Sequence, residues 1–176
     1  DVDWRNEMIK PTSFQHTYYA SADGGGSLVS YFLSLGTSFE ASAYKLDKGN
    51  KYKPEVGFNK HTYRSNIDIN LTRTTKVKFG VDGYITDRKA PGGGDTDELW
   101  RAQSKLTPMI FPTVYSDGKY PAMATGDASY SPYVLLNYTG TGKEEQTTSN
   151  VNLILEQDLS FITEGLRVEA LLAHNH

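Results

Sequence analysis

The sequence predicts an all-β protein, an antiparallel transmembrane β-barrel segment of about six long strands with long loops, one of them carrying a short helix. Three observations support this. The first is that two runs, HTYRSNIDINLT at 61–72 and KVKFGVDGYIT at 76–86, are two-faced at period two. In the first run Tyr63, Ser65, Ile67, Ile69 and Leu71 share one face, and Thr62, Arg64, Asn66, Asp68 and Asn70 the other. In the second, Val77, Phe79, Val81 and Ile85 oppose Lys78, Asp82, Tyr84 and Thr86. A strand of about 12 residues, rising ~3.3 Å per residue and tilted by ~40°, reaches roughly 30 Å, enough for an apolar band of ~25 Å. Strands of a soluble sandwich are usually about half as long. The second observation is that short and long connections alternate along the chain. The third is that no stretch approaches the ~20 consecutive apolar residues of a membrane helix.

In chain order, SFQHTYYASA at 13–22 reads as the first strand and the DGGGS link at 23–27 as a tight turn. SLVSYFLSLGTSF at 27–39 follows, with Val29, Tyr31, Leu33 and Leu35 as its apolar file. A long loop at 41–58 leads to the strand 61–72. The short connection Arg73–Thr75 to the strand 76–86 lets the two apolar files coincide across the hairpin. After a very long loop, 87–147, SNVNLILEQDLS at 149–160 alternates Val151, Leu153, Leu155 and Leu159 against Asn150, Asn152, Glu156 and Asp158. A short link, Ser160–Gly165, precedes LRVEALLAHNH at 166–176, where Leu166, Val168, Ala170 and Leu172 oppose Arg167 and Glu169. Short turns at one rim and long loops at the other are the arrangement of an outer-membrane barrel, and a loop as long as 87–147 is improbable in a compact soluble domain. Within it, APGGGDTDELWRAQSK reads as a flexible lead and one short helix, with Asp95 as N-cap and Glu98 as its capping partner. A turn at Ser116-Asp117-Gly118 and a tyrosine-bearing stretch, SYSPYVLLNYTG, come after it.

Composition narrows the function classes. There is no cysteine, hence no disulfide framework and no thiolate metal site. A formal net charge of -3 and a pI near 5.8 provide no basic footprint for nucleic acid. Tyrosine is abundant, 12 residues against 7 Phe and 2 Trp, in a chain of low mean hydropathy, -0.52, which suits a surface meeting water on one side and something apolar or sugar-like on the other. The GGG at 92–94 lacks the GxxxxGK[ST] context of a phosphate loop, and no GxSxG nucleophile elbow occurs, so neither an enzyme nor a cofactor is expected. The chain begins DVDW and ends LLAHNH without an initiator Met or a signal peptide, which reads as a mature piece or an excerpt.

Taken in succession, DWRNEMIK at 3–10, the GGGS turn with SYFLSLG at 30–36, YRSNIDINLT at 63–72 with KVKFGVDG, YSDGKYP at 115–121, and SPYVLLNYTG leading into NVNLILEQDLSFITEGLRVE resemble SusC/RagA-type outer-membrane transporters, the TonB-dependent receptors of Bacteroidetes. The resemblance covers nearly the whole chain in consistent order. It implies an interior fragment of a barrel of about 22 strands, in the bacterial outer membrane, with the plug and the TonB box absent from these 176 residues. It further implies uptake of glycans, peptides or other large nutrients, a SusD-like surface lipoprotein as lid, energy from TonB, and a lipid bilayer around the wall.

On that reading Arg64, Asp68, Lys78, Asp82, Glu156, Arg167 and Glu169 face the lumen, where hydration and cross-strand pairing account for them without individual roles. Trp100, Tyr115, Tyr120, Tyr130 and Tyr133 lie in the long loop, where aromatic faces can stack on sugar rings or meet a lid, and where internal packing is the more common reason for such residues. Tyr18, Tyr31 and Tyr63 fit an interfacial girdle. Asp95, Asp97 and Glu98 are explained by helix capping and dipole complementation without a metal, and His174 and His176 have no third ligand, so no metal site is expected. The competing reading is a soluble secreted β-sandwich, a carbohydrate-binding or adhesin module with the tyrosines as its platform.

Overall fold

The computed structural model describes residues 1–47, 49, 51–52, 54–92, 96–107, 109–110, 112–121 and 131–176. Six antiparallel strands form one open sheet in sequence order: β1 (Gln15–Gly25), β2 (Val29–Ala41), β3 (Gly57–Asn70), β4 (Thr75–Pro91), β5 (Thr141–Asp158) and β6 (Arg167–Asn175). The connections 26–28, 71–74 and 159–166 are short and 42–56 and 92–140 are long, which is the alternation read from the sequence. Three helices accompany the strands: α1 (Trp4–Met8), α2 (Thr96–Lys105) and α3 (Pro132–Tyr138).

The strands outrun their two-faced patterns. β4 continues through Asp87–Pro91 and β5 begins at Thr141, so the longest connection is 92–140 instead of 87–147. The added stretch of β5, TGKEEQTT, is polar on both faces. Ladder pairing requires only backbone N–H and C=O groups, and a strand that meets water on both sides has no need of alternation. β3 likewise starts at Gly57, which shortens the preceding loop to 42–56.

The described residues form two compact units. The first comprises Asp1–Gln15, Phe39–Phe58 and Asp87–Glu144, and it holds the buried apolar cluster: Trp4, Met8, Leu99, Ala102, Leu106, Leu135 and Leu136. Each helix contributes by its periodicity. Trp4 and Met8 are four apart on α1; Leu99 and Ala102 share one side of α2, with Leu106 just past its end; Leu135 and Leu136 are the buried pair of α3. Asp3 caps α1 by accepting from Asn6 N at 3.0 Å, and Ser131 caps α3 by accepting from Val134 N, with Pro132 in the first turn. The residue proposed to cap α2, Asp95, lies outside the described residues.

The second unit comprises His16–Ser38, Asn59–Thr86 and Glu145–His176. Among its described residues no apolar side chain is buried. One face presents Tyr31, Leu33, Leu35, Ile67, Phe79, Leu153, Leu155 and Leu172, with Leu35 and Leu172 68% and 69% exposed. The opposite face carries Arg64, Asn66, Asp68, Lys78, Asp82, Asn152, Glu156 and Glu169. The β5–β6 register keeps the separation: Leu153 faces Leu172 and Leu155 faces Ala170 on one side, while Glu156 faces Glu169 and Asp158 faces Arg167 on the other. Side-chain oxygens shape two of the turns. Thr72 Oγ1 accepts from Thr74 N and Thr75 N at 3.2 and 2.9 Å, and Asp158 Oδ1 accepts from Ser160 N at 2.8 Å.

Candidate functional site

In the first unit, four tyrosines from three segments converge. Tyr120 follows a turn closed by Tyr115 N donating to Lys119 O at 2.8 Å and Gly118 N to Tyr115 O at 2.9 Å. Gly118 has φ +79°, the left-handed conformation that glycine adopts without steric cost. The Tyr120 ring stacks on Tyr133, 5.7 Å between centroids at 16°, and lies 4.4 Å from Tyr138; Tyr52 meets Tyr138 edge-on at 5.8 Å. Tyr138 Oη donates to Tyr120 Oη at 2.7 Å, and Tyr133 Oη lies 3.5 Å from Asp47 Oδ2. Asp47 N donates to Asn137 Oδ1 at 2.8 Å, which ties the 42–56 connection to α3.

These contacts make the hydroxyls reluctant acids. Burial, with the Asp47 charge behind it, pushes Tyr133 up to about 12. The hydrogen bond it donates to Tyr120, followed by desolvation, raises Tyr138 above its ordinary value. Both therefore stay protonated through the physiological range, as neutral hydrogen-bonding groups on a half-exposed aromatic surface. Lys51 Nζ lies 4.8 Å from the Tyr52 centroid, adding a cation over one exposed ring.

Of the loop aromatics singled out in the sequence, Tyr120 and Tyr133 are brought together. Trp100 stands on the exposed side of α2, Tyr115 stands on the turn outside the ring cluster, and Tyr130 lies outside the described residues. Tyr52 and Tyr138 were missed. Reading Ser131-Pro132 as a helix start would have placed Tyr133 and Tyr138 on successive turns of one helix, whereas nothing local announces Tyr52.

An ion-pair rung in the same unit joins Lys89 to Glu55. The hydrogen bond from Lys89 and its charge hold the Glu55 carboxyl below its ordinary value. A carboxyl depressed in the folded state stabilises above its unfolded pKa, and that contribution is lost as pH falls through the lowered value. Glu55→Gln is therefore expected to speed amide exchange at this rung near neutral pH, relative to wild type, with the difference vanishing at acidic pH below the lowered value.

In the second unit, the four residues assigned from sequence to the lumen, Arg64, Asp68, Lys78 and Asp82, share the polar face. Lys78 pairs with Glu156, and Asp82 accepts from Asn150 Nδ2 at 3.1 Å. The Asn66 side chain reaches over Gly80, and an open cavity of about 430 Å³ lies there, bounded by Phe32, Asn66, Asp68, Lys78, Asn152 and Ile154. On the apolar face the Tyr63 ring lies across Gly83, where a Cβ would collide with its hydroxyl end, and Tyr31 lies similarly across Gly24. His16 and Tyr18 stack at 6.4 Å.

No family model matches this sequence, and no curated protein matches it either. Among solved structures it is similar to a chain of the RagAB peptide importer, determined in a closed-closed state, with a TM-score of 0.63 and 19% identity. The match covers 99% of this chain and 19% of that one, so the chain spans about a fifth of the length of its neighbour. The likeness extends to the fold.

Proposed function

We propose that this chain is a stretch of barrel wall from a TonB-dependent outer-membrane importer of large nutrients, peptides or oligosaccharides, working beneath a SusD-like surface lipoprotein. The observation that carries the proposal is the second unit's apolar face, which is exposed across the sheet and has no core beneath it. Such a face is stable against lipid and unstable against water. The similarity to the RagAB chain along 99% of these residues supports the same reading. On this reading the face bearing Arg64, Asp68, Lys78 and Asp82 lines the lumen. The tyrosine cluster of the first unit, with Trp100 and Tyr115, is the surface offered to solute or lid. No catalytic step is assigned to the chain.

A soluble β-sandwich is the poorer reading. It needs a second sheet packed at ~10 Å on the apolar face of the first, and the described residues form the single sheet β1 to β6. Cell fractionation of the intact protein, combined with uptake of labelled oligopeptides and oligosaccharides by cells lacking the gene, tests the proposal. The protein is expected in the outer-membrane fraction, with uptake of one class lost on deletion. Recovery as a detergent-independent secreted monomer would overturn it.

A further inference from the structure

We propose that the cavity over Gly80 is a subsite for a cationic group on an apolar stem, the side chain of a lysine or arginine in a peptide. This rests on the importer reading above and names the part of the substrate that the polar face of the second unit selects. Gly80 leaves a gap between Lys78 and Asp82 on that face, and the resulting cavity of about 430 Å³ falls in the size range of small-ligand pockets, about 300–1,000 Å³. Phe32 and Ile154 supply apolar walls that can cover methylene groups. Asn66, Asn152 and Asp68 supply oxygens at the rim, and among the described residues none of the three spends its side chain on a hydrogen bond within the protein.

Charge decides which ligand fits. The charged residues that line the cavity are Asp68 and Lys78; Lys78 also feels the charges of Glu156 and Glu169, and Glu156 those of Lys76 and Arg167. Lys78 is committed to Glu156, and Arg167 faces Asp158 across the β5–β6 ladder. Asp68 makes no ion pair among the described residues, and of these carboxylates it is the one that lines the cavity. Lys78, the cation that also lines the cavity, is engaged by Glu156, so an ammonium or guanidinium entering beside Asp68 would satisfy it with charge-assisted hydrogen bonds that a neutral group cannot match. An aliphatic stem would then lie between Phe32 and Ile154.

The test uses cells expressing the intact protein and two labelled peptides identical except for one lysine or norleucine, which share the stem and differ in the charge. Below saturation, wild type is expected to accumulate the lysine peptide about fivefold better, the upper range for a partly exposed ion pair. Asp68→Asn is expected to lower uptake of the lysine peptide to the level of the norleucine peptide, abolishing that preference. Gly80→Leu, which fills the cavity, should also abolish it. A preference that survives Asp68→Asn, or an equal fall for both peptides, overturns the inference. Uptake of an oligosaccharide but of neither peptide overturns it while the importer reading stands. Unchanged uptake of every solute after gene deletion shows instead that the importer reading has failed.

Discussion

Leu35→Arg is expected to destabilise the intact protein in lipid vesicles by about 2–4 kcal/mol, and Ser34→Arg, one residue away, by less than about 1 kcal/mol. Both residues lie on β2, on opposite faces. The Leu35 side chain is 68% exposed on the apolar face, so on the proposed reading an arginine there carries its charge into hydrocarbon, at the cost known for the lipid face of a barrel. At Ser34 the same side chain joins the polar face, where water or a carboxylate can meet it. Guanidinium unfolding in vesicles of defined composition measures the difference. Equal costs at the two positions would contradict the two-faced wall, and a large cost at Ser34 with none at Leu35 would invert the assignment of its faces.

Leu136→Ala is expected to open the first unit without weakening the second. Leu136 is 0% exposed and packs in the cluster shared by α1, α2 and α3, where removing three carbons from a filled site costs about 2–5 kcal/mol. The helices have little independent stability to fall back on, because α1 has five residues and α3 seven, both below the length at which an isolated helix persists in water. Limited proteolysis within 92–140 should accelerate by about thirtyfold or more, the population change matching ~2 kcal/mol when cleavage follows local opening. Cleavage at the 159–166 turn, which belongs to the second unit, should not change. Parallel acceleration at both places would show that the two units unfold as one.

The polar face holds the proposed subsite, yet it becomes a site only through cross-strand neighbours. Asp68 and Gly80 are ordinary residues of alternating strands. They form one cavity because β3 and β4 are neighbours in the sheet, and Phe32 and Asn152 join them from β2 and β5. The tyrosine cluster is the same case at longer range, since Tyr52, Tyr120 and Tyr138 are far apart in the chain and no local pattern pairs them.

The sequence alone determined the six strands, their two faces and the alternation of short and long connections. A period of two and a cluster of turn residues are local properties, set by where successive Cβ atoms point and by which side chains can close a turn. Tertiary structure alone decided how far β4 and β5 extend and which tyrosines meet, and it stabilises the helix 132–138 that the Ser131-Pro132 start signals. Ladder pairing of polar strands and the stability of a seven-residue helix depend on partners distant in the chain: a neighbouring backbone for β5, and the Trp4, Met8 and Leu99 cluster for α3.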